Sequence, residues 1–347
     1  MKPVTGAGPV RAPTLADVGE DELVRAVTGR YRPPPAFVHV AAGDDAAVLD
    51  IAGLGMAGRV VVSTDTLVEG ADFRLDWSSG AQVGVKLAAQ NLADVAAMGA
   101  RPVGLVVSLA SPPRLALAWA TALADGLDDE TSRAGAAVVG GDVSQSGQLV
   151  LTGTALGVLE GPAVLRSGAR PGDVVALAGR TGPSAAGLAL LLASGTAEAA
   201  SGRTPAASGL VEAHLAPRPP YPAGPAAGRA GATALIDTSD GLLRDAGRVA
   251  RASGVLLDLD PAALAPPADL VEVASALGDP LLATAWVLTG GEDHALLACF
   301  PPDADVPAPF VVVGRVLAAG RGERDAPGVL VGGERWTGRD GWHHFSR

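Results

Sequence analysis

The chain has 347 residues, more than one hydrophobic core comfortably supports, so two domains are expected. Apolar residues make up 48% and charged residues 18%, which excludes a disordered or polyelectrolyte chain, and the 46 Gly and 27 Pro show no three-residue period, which excludes collagen. With 26 Lys and Arg against 37 Asp and Glu the net charge is −11, which repels nucleic acid and anionic lipid, so any phosphate-bearing ligand is expected to be small and metal-bridged. Aromatics are only 3%, so the core is built from Val, Leu and Ala. The single cysteine, Cys299, forms no internal disulfide and points to a reducing compartment. The first residues lack the apolar stretch of a signal peptide, and the apolar run at 101–110 is too short for a bilayer span. A cytoplasmic protein with no membrane and no nucleic-acid partner is expected.

In chain order, 59–65 (RVVVSTD) is a β-branched run that predicts a buried strand ending in polar residues. Helical spacing of Val83, Leu87, Asn91, Val95 and Met98 predicts a helix over 82–98, stopped by Gly99. A strand over 102–109, an Ala-rich helix over 114–134, a strand over 136–139 running into Gly140-Gly141-Asp142, and a strand over 149–159 follow. The turn-rich stretch 160–172 reads as a linker between domains at 17–160 and 166–347. Beyond it come a strand at 173–178, a helix at 183–192, a Ser/Ala/Gly stretch at 194–208 expected to be mobile, a strand at 235–238, a helix at 241–252, and strands at 255–259, 294–300 and 310–316. Helices and strands are interspersed but hairpin-like pairs also occur, which predicts an α+β fold.

The informative pattern is the placement of acids at strand ends and among small residues: Asp44-Asp45, Ser63-Thr64-Asp65, Asp94, Asp142, and Asp237 with Ser239 and Asp240. Oxygen donors without His or Cys suit a hard ion such as Mg²⁺, which in turn favours a phosphate ligand. Taken singly, each acid has an ordinary reading. Asp44 and Asp45 fit a turn, Asp65 a cap after its strand, Asp240 a helix N-cap, and Gly140-Gly141-Asp142 a turn. Asp94 is different, because an acid inside LADVAAMGA needs a partner if buried. No G-x-x-x-x-G-K-[ST], no G-x-G-x-x-G opening a helix and no protein-kinase signature is present, and five scattered His with one Cys make neither a zinc site nor a thiol nucleophile.

The ordered set AAGDDAAVL, STDTLVEGADF, NLADVAAMGARP, GGD, LRSGARPGD, IDTSDGLLRD and LTGGEDHAL resembles the thiamine-monophosphate kinase family, within the superfamily of aminoimidazole ribonucleotide synthetase. The resemblance runs from about residue 17 to the C-terminal GWHHF. It implies an N-terminal α/β domain whose strands form a barrel across a homodimer, and an α+β C-terminal domain. It implies transfer of the γ-phosphoryl of ATP onto thiamine monophosphate, with several Mg²⁺ ions held at Asp44, Ser63, Thr64, Asp65, Asp94, Asp142, Asp237 and Asp240. Asp65, Asp142 and Asp237 would stand at the reacting centre. Gly141, Asp142, Arg166 and Ser239 are expected to contact nucleotide, and Asp72, Glu292 and Trp342 to contact the thiamine side. Asp72 stands where the family usually has His, and Ala124-Asp125-Gly126 offers no aromatic for adenine.

Rival readings differ on the acceptor side. A synthetase or hydrogenase-maturation relative would share the Mg-ATP acids, but STDTLVEG, GGED and GWHHF separate it. Selenophosphate synthetase needs a reactive Cys near the N-terminus, whereas Cys299 lies far along the chain. A non-catalytic nucleotide- or thiamine-binding regulator has no use for so many carboxylates.

Overall fold

The computed structural model describes residues 14, 26–40, 48–49, 60–320, 322 and 326–342. Asp44, the Asp45 beside it and His343-His344 lie outside the described residues. The described residues form a mixed α+β fold with three sheets. Strands β1 (Val38–Val40) and β2 (Val48–Leu49) pair as a small antiparallel ribbon. The second sheet has the order β3-β6-β4-β5, from β3 (Val60–Val68), β4 (Arg101–Ser111), β5 (Ala137–Gln145) and β6 (Val150–Val158). All its pairs are antiparallel except β4 with β5, which are joined in sequence through a helix.

That helix, α2 (Leu117–Arg133), packs on α1 (Gly80–Ala97), and α1 lies against the sheet. Ser79 starts α1 with a capping box: its side chain accepts from Gln82 N while Gln82 Oε1 accepts from Ser79 N. The two helices meet backbone to backbone through glycine. A Cβ on Gly84 would stand 2.2 Å from Leu123 O, and one on Gly126 1.9 Å from Ala81 O.

The second half of the chain builds the seven-stranded sheet β13-β12-β9-β11-β7-β10-β8. Its strands are β7 (Val174–Ala178), β8 (Ala234–Asp237), β9 (Val255–Leu259), β10 (Leu296–Phe300), β11 (Val311–Ala318), β12 (Gly328–Val331) and β13 (Glu334–Arg335). Strands β7 and β10 and the edge strand β8 are buried on both faces. Leu235, Leu296, Ala298 and Phe300 point to the apolar cluster that contains α1 and Ala223 and Ala227, while Ile236, Leu297 and Cys299 point to a second cluster under most helices of this half. Those helices are α3 (Pro183–Ser194), α4 (Ala197–Ser201), α5 (Ala207–Leu215), α6 (Ala223–Arg229), α7 (Leu242–Ser253), α8 (Ala268–Ala276) and α9 (Leu282–Thr289). Helix α1 is therefore wedged between two sheets, with Val83, Leu87, Leu92 and Val95 fully buried. A second tie between the halves is buried Glu130 on α2, which accepts from Arg218 (2.5 Å) and Tyr221 Oη (2.7 Å).

The structure corrects several sequence expectations. Strand β3 runs on to Val68, so Asp65 lies inside it rather than capping its end, and Gly140-Gly141-Asp142 lies within β5 rather than in a turn. The stretch 194–208 is not a mobile loop: it contains α4 and the start of α5. Thr196 caps α4, Trp77 Nε1 donates to Gly195 O (2.9 Å), and Ala200 and Ala207 are buried. Helices α5, α6, α8 and α9 were not anticipated.

The glycine crossing of α1 and α2 gives a direct test. Gly126→Val should destabilise the protein by about 3 kcal/mol, because the clash is with backbone and not with a movable side chain. Chemical denaturation checks this, and an unchanged midpoint would contradict the packing described.

Candidate active site

Polar residues on α1 open the site. Lys86 and Asn91 are buried in a helix rich in Ala, Val and Leu, so each needs a partner. Asn91 Oδ1 accepts from Asp65 N (3.0 Å) on β3 and its Nδ2 donates to Leu87 O (2.9 Å). Gly153 on β6 makes room for it, since a Cβ there would lie 2.4 Å from Asn91 Nδ2. One turn further along α1, Asp94 Oδ2 accepts from Ser63 Oγ (2.7 Å). Thr64, on the other face of β3, donates to Gly153 O (2.7 Å).

The second half meets this surface through the turn at Glu292, Asp293 and His294. Each side chain of the turn holds a different element. Glu292 Oε2 faces Lys86 Nζ on α1 (3.2 Å) and His214 Nδ1 on α5 (3.3 Å). Asp293 accepts from Gly182 N (2.6 Å) and Ser184 N (2.8 Å) at the start of α3, where a helix N-terminus favours an anion. His294 Nδ1 bonds Asp237 Oδ2 at the end of β8 (3.1 Å). Glu292 and His294 have positive φ (64° and 51°), a conformation held here by Glu292 N donating to Ser239 O (2.8 Å) and His294 N to Thr238 O (3.2 Å).

The electrostatics show which acids lie together. Burial first, then the Asp237 carboxylate and, more weakly, Asp65, push Asp94 up to about 7 against the Ser63 hydrogen bond. Burial and Asp237 likewise push Asp245 to about 7, with Arg248 opposing. Burial opposes charge on His294, but its bond to Asp237 and the carboxylates of Asp237, Glu292 and Asp94 outweigh it and raise its pKa. Burial also opposes charge on Glu292, yet Lys86 and His214 prevail and hold it below the usual carboxylate range. His214 itself is pushed down to about 3 by burial and by Lys86. Burial raises Asp293 to about 7 despite its two backbone donors.

Of the residues expected from sequence, Ser63, Asp65, Asp94 and Asp237 converge, and Ser239 and Glu292 join backbone to backbone. Asp240 is not an N-cap: α7 begins after Gly241 without a side-chain cap, and the Asp240 carboxylate pairs with Arg244 (3.2 Å) and Arg248. Trp342 N donates to Asp240 O (2.9 Å), which brings the C-terminal segment to this loop with the indole 60% exposed. Asp72 is occupied locally, its Oδ2 accepting from Val68 N (2.8 Å), and Arg166 is exposed. Asp142 and Gly141 are not brought to Asp65 within one chain. They lie on β5, at the edge of the sheet opposite β3, about 14 Å away by strand spacing. Asp142 also shares a face with Ser108, Thr152 and Thr66, whereas Asp65 points to the other.

Lys86, His214, Asp293 and His294 are site residues that the sequence reading missed. A lysine within VGVKLAAQNLADVAA carried the same signal as Asp94, a charge in an apolar helix. Among the described residues no three His, Cys, Asp or Glu side chains form a ready cage for a metal. The oxygen donors of Ser63, Asp65, Asp94 and Asp237 nevertheless fit Mg²⁺, which completes its shell with water and phosphate oxygens, and the mutual repulsion felt by Asp94 is of the kind a cation relieves.

Residues 43–159 match the family model described as AIR synthase related protein, N-terminal domain, and fold and site together define a protein of the AIR-synthase-related class. Over 339 residues the chain is 48% identical to the thiamine-monophosphate kinase of Mycobacterium tuberculosis, spanning 96% of this chain and 94% of that one. The solved thiamine-monophosphate kinase of Stenotrophomonas maltophilia K279a is similar with a TM-score of 0.74 at 30% identity, covering 90% of this chain and 95% of that chain. The structure of AaThiL complexed with AMPPCP and TMP is similar with a TM-score of 0.72 at 30% identity, covering 82% and 87%. The chain belongs to the thiamine-monophosphate kinase family.

Asp94 gives a pH test. Its folded pKa of about 7 lies above the ordinary 3.8, so the folded chain holds this proton more tightly than the unfolded one. The stability it contributes is present below about pH 4 and is lost as pH rises toward 7. Asp94→Asn should therefore stabilise the metal-free protein at pH 8 by on the order of 2 kcal/mol, and hardly at all at pH 4. Melting temperatures across this range decide it, and a variant less stable than wild type at pH 8 would contradict the assignment.

Proposed function

We propose that the chain phosphorylates thiamine monophosphate, transferring the γ-phosphoryl of ATP directly and in line onto the substrate phosphate to give thiamine diphosphate and ADP. The observation that carries this reading is the convergence of Asp65 and Asp94 from the first half with Asp237 from the second, close enough that each charge bears on Asp94. The neighbouring structure complexed with AMPPCP and TMP supports a site for a nucleotide and a second ligand on this fold.

Several Mg²⁺ ions are assigned to Asp44, Ser63, Thr64, Asp65, Asp94, Asp142, Asp237 and Asp240. When bound, Mg²⁺ supplies positive charge to phosphoryl oxygens in a protein that is itself an anion. The chain's own residues position the two ligands. Gly141, Asp142, Arg166 and Ser239 are placed on the nucleotide side, and Arg166, exposed, is free to make a bidentate phosphate contact. Glu292, Asp72 and the open indole of Trp342 are placed on the thiamine side, where a cationic ring and an aminopyrimidine suit carboxylates and an aromatic face. The backbone bond from Glu292 to Ser239 fixes the two sides relative to each other. The acceptor phosphate is already ionised at neutral pH, so no strong general base is required. His294 serves Asp237 instead, holding the carboxylate in place.

A homodimer and a cytoplasmic location belong to the same proposal. Among the described residues β3 and β5 are open edges, and Val60 and Val62 are exposed on β3. Pairing β3 with β5 of a second copy closes both edges. Among the described residues no helix is long and apolar enough to cross a membrane.

Purified protein given ATP, Mg²⁺ and thiamine monophosphate should form thiamine diphosphate and ADP in equal amounts, and ATP consumption should stop when thiamine monophosphate is left out. ATP turnover indifferent to thiamine monophosphate would overturn the reading. Asp65→Asn and Asp142→Asn should each lower kcat by on the order of a hundred- to a thousandfold while leaving the melting temperature intact. Full activity of either at saturating Mg²⁺ would remove that residue from the site. Sedimentation at micromolar concentration should show a dimer; a fully active monomer would refute the assembly.

A further inference from the structure

Lys86 is the one residue of α1 whose charge is buried with its partner on the other half of the chain. Its side chain is only 3% exposed, whereas Glu292, which it meets, is 37% exposed. The cation thus stands behind the carboxylate, not in the cleft. His214 stands behind it too, at 8% exposure, with Nδ1 3.0 Å from Ser184 Oγ at the start of α3. Lys86 Nζ donates to Oε2, neutral His214 places Nδ1 3.3 Å from that same oxygen, and among the described residues Oε1 has no bond. Glu292 cannot easily swing away, because its backbone is held at positive φ by the bond to Ser239.

We infer that Lys86 and His214 are positioning residues for the acceptor: they anchor Oε2 of Glu292 so that Oε1 faces the cleft as a fixed, ionised hydrogen-bond acceptor for a donor or cationic group on the substrate. This rests on the reading of Glu292 as a thiamine-side contact. A carboxylate anchored on one oxygen pays no rotamer entropy on binding and presents its open lone pairs in one direction. It selects for ligands bearing an N–H or a positive charge at that point and leaves the nucleotide side untouched. Against burial, Lys86 foremost, with His214 and His294, favours the ionised form of Glu292.

The test uses the full-length protein with steady-state kinetics for both substrates. Glu292→Gln and Lys86→Met should each raise the KM for thiamine monophosphate about ten- to a hundredfold, with the KM for ATP changed about twofold or less. In the double variant Lys86→Met should add almost nothing to Glu292→Gln, because Lys86 acts through that carboxylate. If Lys86→Met does not fold, His214→Leu is held to the same criteria. A raised KM in Glu292→Gln alone would overturn the inference and leave the reading of Glu292 standing. No rise in either would remove Glu292 from the thiamine side. Full additivity in the double variant would show that Lys86 is only structural.

Discussion

A helix buried on nearly every side needs partners for the polar groups it carries, and α1 carries Lys86, Asn91 and Asp94 between two sheets. An unpaired charge there would cost several kcal/mol. The partners are drawn from elements far apart in the chain: Ser63 and the Asp65 backbone from β3, and Glu292 from the turn before β10. Satisfying α1 therefore aligns β3 with the second half of the chain, and the site is what that alignment leaves exposed. The apolar part of the same helix does the complementary work. Leu87, Leu92 and Val95 share one cluster with Leu235, Leu296 and Phe300, so the packing that buries α1 also presses the two halves together.

The turn from Glu292 to His294 completes the arrangement. Three successive side chains reach α1 and α5, the start of α3, and the end of β8, and two of the three residues accept a left-handed backbone to do so. This makes Glu292 and Asp237 parts of one rigid unit although 55 positions separate them in the numbering. The charge balance follows the same logic. The chain is acidic overall, yet buried Lys86 stands beside Glu292 and buried His294 beside Asp237. Asp94, which accepts from Ser63, is pushed up to about 7 by burial and by Asp237.

Much of the frame was legible because local signals and packing agree. The β-branched runs at β3 and β4 form strands, α1 stops before Gly99, and Asp237 ends β8. Local rules failed where a longer contact prevailed. Asp240 before Gly241 looks like an N-cap, but Arg244 and Arg248 on the next two turns of α7 claim its carboxylate. Gly140-Gly141-Asp142 looks like a turn, but pairing with β4 extends it as strand through Gln145. Stretch 194–208 looks too small and polar to order, but Trp77 from the first half docks at Gly195 beside it. Lys86 and Glu292 are 206 positions apart, and no single-sequence pattern links them. What could have been read is that a lysine among apolar helical residues requires such a partner somewhere.

The account's central claim is that carboxylates from the two halves act as one anionic site. A double-substitution cycle on Asp94 and Asp237 tests it most directly, read by calorimetric titration of Mg²⁺ in the presence of a non-hydrolysable ATP analogue. The account predicts strong coupling, with Asp94→Asn and Asp237→Asn together losing scarcely more affinity than the worse single substitution. Losses that add in full would mean two independent sites and would contradict it.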